Sequence, residues 1–267
     1  MVNIIICVFG CVTVEKYKLQ VQKINETWGN RAKNFNNIKI LFFLGEEKVD
    51  EFSSEEYIYL PSVKNNYISA SYKQNLGLKY IFDNHKDFDF VYVCGTDTYV
   101  NVDKLDEFLK EYNPKDKLYI GGHTNEKIIN KKMTLKFHLG GAGFILSKKS
   151  LLLLSPLFAN MVDDWIKFCK ITKNEKLMYG CDVCISYYCR ILNIQMLTFY
   201  DRFYECNYRG LMDISRVNGF FSEFHCCSEH IQWKDIITCH NMSLRDFDEF
   251  TDILNQEKWY INYIGHS

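Results

Sequence analysis

Four short stretches carry side chains whose types and positions could do chemistry. The run Phe88 to Cys94 is apolar and aromatic and stops at Gly95-Thr96-Asp97-Thr98. In a parallel sheet the carboxyl ends of the strands face the ligand crevice. A carboxylate just past such a strand can hold Mg2+ or Mn2+, hard cations that take oxygen ligands and can bridge phosphates. The competing reading of Asp97 is a turn residue or helix cap, with Thr98 and Asn101 as rival caps. Asp182 in Tyr179-Gly180-Cys181-Asp182-Val183 opens an amphipathic stretch. It is either a first-turn acid favoured by the helix dipole or an ionised base for a hydroxyl nucleophile. Gly140-Gly141-Ala142-Gly143 allows close backbone approach to a ligand or a tight turn with positive φ. His240, after Ile236-Ile237, either completes a divalent metal site or is merely hydrogen-bonded. Gly-x-Ser-x-Gly, His-Glu-x-x-His and nucleotide-loop glycine spacings are absent from the sequence, so hydrolase, zinc protease and P-loop chemistry have no support.

For these residues to meet, strands must end together with helices laid against them. Asn3 to Phe9 and Ile38 to Leu44 are continuous apolar runs closed by Gly10 and Gly45, as suits strands buried on both faces. Glu15 to Lys33 is predicted as one helix turned inward on Leu19, Ile24 and Trp28, giving a parallel βαβ start. A second helix is predicted over Tyr67 to His85, leading into the strand that ends before Asp97. Leu105, Phe108, Leu109 and Tyr112 recur at helical spacing behind Asn101, a natural N-cap. Beyond about Leu118, short strands at Leu118 to Ile120 and Met133 to His138 precede the glycine turn, a strand Phe144 to Leu146 and a helix. A further helix starts near Asp182. From about residue 200 the chain is aromatic-rich and carries no readable period.

The totals bound the answer. With 267 residues and 47% hydrophobic content the chain can build a large core. Lys plus Arg number 32 against 33 Asp plus Glu, so no excess of positive charge is available to hold a phosphate backbone, and nucleic acid is not expected as a partner. No apolar run approaches the roughly 20 residues that span a bilayer, and Met1-Val2-Asn3 lacks the basic start of a signal peptide. Eleven cysteines, an odd count without an export signal, read mostly as reduced core residues.

In order and spacing, several stretches together resemble the fringe-like β-1,3-glycosyltransferases, family 31, most closely the branch that holds the core-1 galactosyltransferases. They are Thr27-Trp28-Gly29, "SYKQNLGLKYIFDNH" with Lys73, "GTDTYVN" where the family has Asp-Asp-Asp-Thr-Tyr-Val, "GGAGFILSKKSL", "GCDVCISYYCRILNI", and "HCCSEHIQWKDIITCH" with Cys226-Cys227-Ser228 and His240. The resemblance runs across about residues 3 to 255.

That resemblance implies an α/β fold of the GT-A nucleotide-diphospho-sugar transferase type, with a mostly parallel central sheet flanked by helices. It implies one domain over 1–267, with 1–120 the nucleotide-sugar-binding half and 121–267 the acceptor and catalytic half. The implied donor is a UDP-sugar, galactose favoured, used with Mn2+ or another divalent cation. The implied acceptor is a glycan or glycoprotein hydroxyl, joined with inversion in a β-1,3 linkage, and a homodimer is left open. Carried over residue by residue, Asp97 and His240 would hold the metal and Asp182 would be the catalytic base. Lys73 would be the donor-side lysine, and Thr13, Thr96 and Gly141 would lie in the donor site. Three positions depart from the pattern: Gly95 and Thr96 replace the first two acids of the triple-Asp motif, and Cys181 replaces the acid before Asp182. The alternative is therefore a catalytically degenerate member acting as a glycan-binding or chaperone-like partner. The family's usual membrane anchor has no counterpart in the sequence, so the expected location is cytoplasmic as the chain stands and the Golgi lumen if it is a trimmed form.

Overall fold

The apolar run at the start becomes β1 (Ile4–Phe9), and its residues alternate between two cores. Ile4, Ile6 and Val8 face one cluster while Ile5 and Cys7 face the other. Each fully buried aliphatic side chain of this kind contributes on the order of 1.5–3 kcal/mol, which is why such a strand sits centrally. The structure is a computed structural model and describes residues 1–131, 133–206 and 235–264, with side chains through 256.

β1 pairs in parallel with β2 (Ile38–Leu44) on one side and β4 (Phe90–Cys94) on the other, and β2 pairs in parallel with β3 (Tyr57–Tyr59). Beyond β4 lies β9 (Phe144–Ser147), antiparallel to both β4 and β6 (Leu118–Gly121). β10 (Gln195–Thr198) closes that edge in parallel with β6. The order of the seven strands is β10-β6-β9-β4-β1-β2-β3. The chain winds outward from β1 to β3 and then returns beside β1 as β4, so the strand order reverses between β1 and β4. Ligand crevices form at such a reversal, outside the carboxyl ends of the strands.

One cluster packs under α1 (Glu15–Glu26), α2 (Trp28–Ala32), α4 (Val102–Leu109) and the last described helix, Leu244–Ile264. The other packs under α3 (Ala70–Asn84), α5 (Lys148–Leu154), α6 (Met161–Ile171) and α7 (Cys181–Ile191). A hairpin of β7 (Thr124–Asn130) and β8 (Met133–His138) stands apart from the main sheet. Asn101 caps α4, its side chain accepting from the Lys104 N–H at 3.3 Å.

Two expectations need correction. Glu15 to Lys33 is two helices, because Thr27 donates its hydroxyl to the Lys23 carbonyl at 2.7 Å and its backbone leaves the helical region at φ −109°, ψ −111°. Gly29 then packs α2 against the end of α1, where a Cβ would lie 2.6 Å from the Ile24 carbonyl oxygen. Leu19 points outward at 37% exposure, and Val21 and Ile24 bury that face instead. Strands β3, β7 and β10 and helix α6 had no clear period in the sequence. Seven of the nine described cysteines are buried, which fits the reading of most cysteines as core residues. Among the described residues no helix is long and apolar enough to cross a membrane.

Candidate active site

Three very short strands do most of the positioning. β11 (Phe203–Tyr204), β12 (Thr238–Cys239) and β5 (Tyr99–Val100) form a sheet in the order β11-β12-β5. β12 runs parallel to β11, pairing Cys239 with Tyr204, and antiparallel to β5, pairing Cys239 with Tyr99. This register sets the residues just beyond the strands, Glu205, His240 and Asp97, side by side. The main chain locks the arrangement: the His240 N–H donates to the Tyr204 carbonyl at 3.0 Å, and the Met242 N–H donates to the Asp97 carbonyl at 3.0 Å. Between them Asn241 takes the left-handed conformation at φ 56°, which asparagine tolerates better than most residues.

The histidine's orientation is fixed by its surroundings. Its Nδ1 lies 3.0 Å from the Glu205 main-chain carbonyl oxygen, which can only accept, so Nδ1 carries a hydrogen. Nε2 is left facing the Asp97 carboxylate, with Oδ2 at 3.6 Å. That gap is too long for a good hydrogen bond. Two ligands each about 2.1 Å from one divalent cation stand within about 4.2 Å of each other, so the pair fits a shared cation. Burial pushes the His240 pKa down, but the facing Asp97 carboxylate outweighs it and the net shift is upward. Burial likewise pushes Asp97 up, and His240 brings it net downward. Without a cation the two form an ion pair, and a cation between them would replace the imidazolium proton. Among the described residues no set of three His, Cys, Asp or Glu side chains converges in ligating position.

The glycine loop lies against this pair. Gly143 takes φ 75° and donates its N–H to the Gly140 carbonyl at 3.1 Å, closing a tight turn. The Thr98 hydroxyl donates to the Gly141 carbonyl, and the Tyr92 and Thr238 hydroxyls both donate to that of Ala142, each at 2.8 Å. On one flank Asp182 accepts the Gly140 N–H at 3.2 Å through Oδ2 and the Val183 N–H at 2.8 Å through Oδ1. On the other flank the Ala142 N–H donates to Glu205 Oε2 at 2.8 Å. A Cβ on Gly141 would lie 2.3 Å from His240 Nδ1 and 2.4 Å from Glu205 Oε1, and one on Gly140 would lie 3.1 Å from Asp182 Cβ. The volume missing from the loop is thus filled by the candidate base and metal ligand, which lie against consecutive glycines. Burial raises the Asp182 carboxyl above its ordinary range, against the pull of its backbone N–H donors.

Lys73 and Asp97 share a cleft at the strand-order reversal, lined by Phe9, Gly10 and Cys11 after β1 and by Gly95, Thr96 and Asp97 after β4. Lys73 Nζ donates to the Gly10 carbonyl at 2.7 Å and to Asn65 Oδ1 at 3.0 Å. Burial lowers its pKa, and among the described residues no carboxylate pairs with it. α3 is aimed by a one-turn entry in which Asn66 and Ser69 cap each other. Thr96 lines the cleft, but its hydroxyl is donated to Gln20 Oε1 at 2.7 Å. Thr13 is exposed beside the lining residue Cys11, its hydroxyl 3.4 Å from the Cys11 sulfur, and does not itself line the cleft. The Cys226-Cys227-Ser228 motif lies outside the described residues.

Glu205 and Gln20 were not singled out in the sequence. An acid after a two-residue strand in an aromatic-rich segment has no periodic signature. Gln20 looks like any polar residue of a charged helix.

Comparison with known proteins agrees with this architecture. The Fringe glycosyltransferase of Drosophila melanogaster is 33% identical over 153 residues, covering 52% of this chain and 35% of that protein. This chain therefore reaches only about a third of that relative's length. A glycosyltransferase involved in glycosylation of the major capsid of PBCV-1 superposes with a TM-score of 0.51 at 12% identity, covering 94% of this chain and 99% of that one. GlyE of Streptococcus pneumoniae gives 0.53 at 12%, covering 99% and 64%. The galactosyltransferase LgtC, solved with donor and acceptor sugar analogs, gives 0.50 at 8%, covering 94% and 96%. At such identities the likeness is one of fold, and the fold is that of the GT-A glycosyltransferases, α/β with a mainly parallel central sheet. The model of the family described as Fringe-like matches residues 2–205, which takes in β1, the cleft, the glycine loop and Asp182: the chain belongs to the Fringe-like family.

Proposed function

We propose that this chain is an inverting glycosyltransferase that moves a hexose or N-acetylhexosamine, galactose first, from a UDP-sugar to a glycan or glycoprotein hydroxyl in a β-1,3 linkage. The observation that carries the reading is one cleft holding both a buried lysine that no carboxylate among the described residues pairs with and one member of a carboxylate–imidazole pair. A buried cation of that kind favours an anionic group beside it, and a diphosphate supplies one. Two of the three Lys73 donors are used by Gly10 and Asn65, which leaves one for the donor. A divalent cation, manganese first, would be held by Asp97 and His240 and would supply charge neutralisation for the departing diphosphate.

Asp182 is suited to the proton transfer because its raised pKa makes it a stronger base than an ordinary aspartate. It takes the proton of the acceptor hydroxyl as that oxygen bonds to the anomeric carbon and the bond to the diphosphate breaks. One displacement inverts the configuration. The preference for galactose rests on the ordered motifs that resemble the core-1 branch. Asp182→Asn should lower kcat by about 10²–10⁴ while leaving UDP binding within about threefold; retained turnover removes Asp182 as the base. The degenerate, binding-only reading draws on Thr96, whose hydroxyl is committed to Gln20, and on the bare Gly95. It gains ground if the chain binds UDP-sugars and yields no product with any acceptor.

A further inference from the structure

Glu205 touches both halves of the site, and neither the family motifs nor the resemblance gives it a role. Through its main-chain carbonyl it accepts from His240 Nδ1 at 3.0 Å, which fixes the ring and turns Nε2 toward Asp97. Through Oε2 it accepts the N–H of Ala142, a fully buried residue, at 2.8 Å, while Oε1 lies 3.5 Å from His240 Nδ1. Ala142 follows Gly140 and Gly141, the two residues that lie against Asp182 and His240 respectively.

We propose that Glu205 is a positioning residue that ties the glycine loop to His240 and so sets the spacing between the catalytic base and the metal-binding pair. The inference rests on the functional reading above and adds to it a residue that acts through the loop. Without the side-chain acceptor, the buried Ala142 N–H loses its partner, and among the described residues the loop keeps on that flank the Thr98, Tyr92 and Thr238 hydroxyls on its carbonyls. The His240 anchor is main chain and survives any substitution. The effect of removing the carboxylate therefore travels through the loop, on which Gly140 bonds Asp182 and Gly141 packs against the imidazole.

The role belongs to a hydrogen-bond acceptor, which separates two substitutions. Glu205→Gln keeps an oxygen that can accept the Ala142 N–H, whereas Glu205→Ala removes it. The readout is manganese affinity in the presence of UDP, by titration calorimetry, together with kcat. Glu205→Ala should weaken manganese binding by about 10–100-fold, the usual effect of losing an orienting partner of a metal ligand, and should lower kcat as well. Glu205→Gln should restore both to within about threefold. Should the alanine variant fail to fold, Glu205→Met fills similar volume without the acceptor and carries the same expectation. A folded alanine or methionine variant with wild-type manganese affinity overturns the proposal, and so does a glutamine variant as impaired as alanine. If the wild-type protein binds UDP without regard to manganese, the metal reading itself falls and takes this inference with it.

Discussion

Gly141→Ala tests the packing of the loop against the imidazole, because the added carbon has nowhere to go. Its Cβ would lie 2.3 Å from His240 Nδ1 and 2.4 Å from Glu205 Oε1. Real Cβ contacts below 3.0 Å are essentially never seen, so the imidazole must retreat by about 0.7 Å from that 2.3 Å. It is not free to do so, since Nδ1 is bonded to the Glu205 carbonyl and the His240 N–H to the Tyr204 carbonyl. Overpacking of this kind costs about 1–3 kcal/mol, and at roughly 2–4 °C per kcal/mol for a chain of this size the Tm should fall by about 2–12 °C. Displacing a site group by about 1 Å can cost on the order of 10²-fold in rate, so turnover should fall far more than stability suggests. Gly95→Ala is the internal control: its Cβ meets only Asp97 Oδ1, at 3.1 Å, and should cost under about 1 kcal/mol. The assay pairs thermal unfolding with manganese-dependent UDP binding and turnover. If Gly141→Ala binds and turns over like wild type, the packing of His240 against the loop has no part in function.

Other outcomes follow from the same geometry. Because burial raises Asp182 above its unfolded value, the folded state holds that proton at pH values where the unfolded chain has released it. Its ionisation therefore removes stability as pH rises through that window. Asp182→Asn should thus have a Tm at pH 7 equal to or above wild type, and a lower one argues that the ionised carboxylate's hydrogen bonds dominate. The raised pKa of His240 means that protons compete with a cation there, and the paired imidazolium contributes stability that is lost as pH rises through the folded pKa. Manganese affinity should accordingly weaken as pH is lowered below that raised value, and a flat titration from pH 8 to pH 5.5 would exclude His240 as a ligand. Gly95→Asp should place a second carboxylate beside Asp97, lowering Tm without metal by like-charge repulsion and tightening manganese binding; unchanged manganese affinity would show that position 95 lies outside the metal's reach.

The parts legible in the sequence are those in which one residue type has one physical use. Continuous apolar runs gave β1, β2 and β4, and a carboxylate after such a run placed Asp97 at the strand-order reversal. Asn101 as a cap and Asp182 in a first helical turn follow from local backbone chemistry. What the sequence hid was long-range pairing. β5, β11 and β12 have two residues each, too few for any period, yet their register brings Asp97, His240 and Glu205 together across more than a hundred residues of chain. The glycine loop was read as room for a ligand or a turn. The turn is there, at Gly143, and the room left by Gly140 and Gly141 is met by Asp182, His240 and Glu205, which depends on which residues approach from elsewhere.

Transfer from a UDP-sugar requires the Lys73–Asp97 cleft to take that donor together with a cation. Thermal unfolding with a panel of UDP-sugars, each with and without manganese, measures this in one experiment. A ligand at about 100 times its Kd adds about 2.7 kcal/mol of stability, which at roughly 2–4 °C per kcal/mol is a rise in Tm of about 5–11 °C. That rise is expected for at least one UDP-sugar, with UDP-galactose foremost, only when manganese is present, and it should be lost in Asp97→Ala and His240→Ala. No shift with any UDP-sugar, or an equal shift without manganese and in both variants, would contradict it.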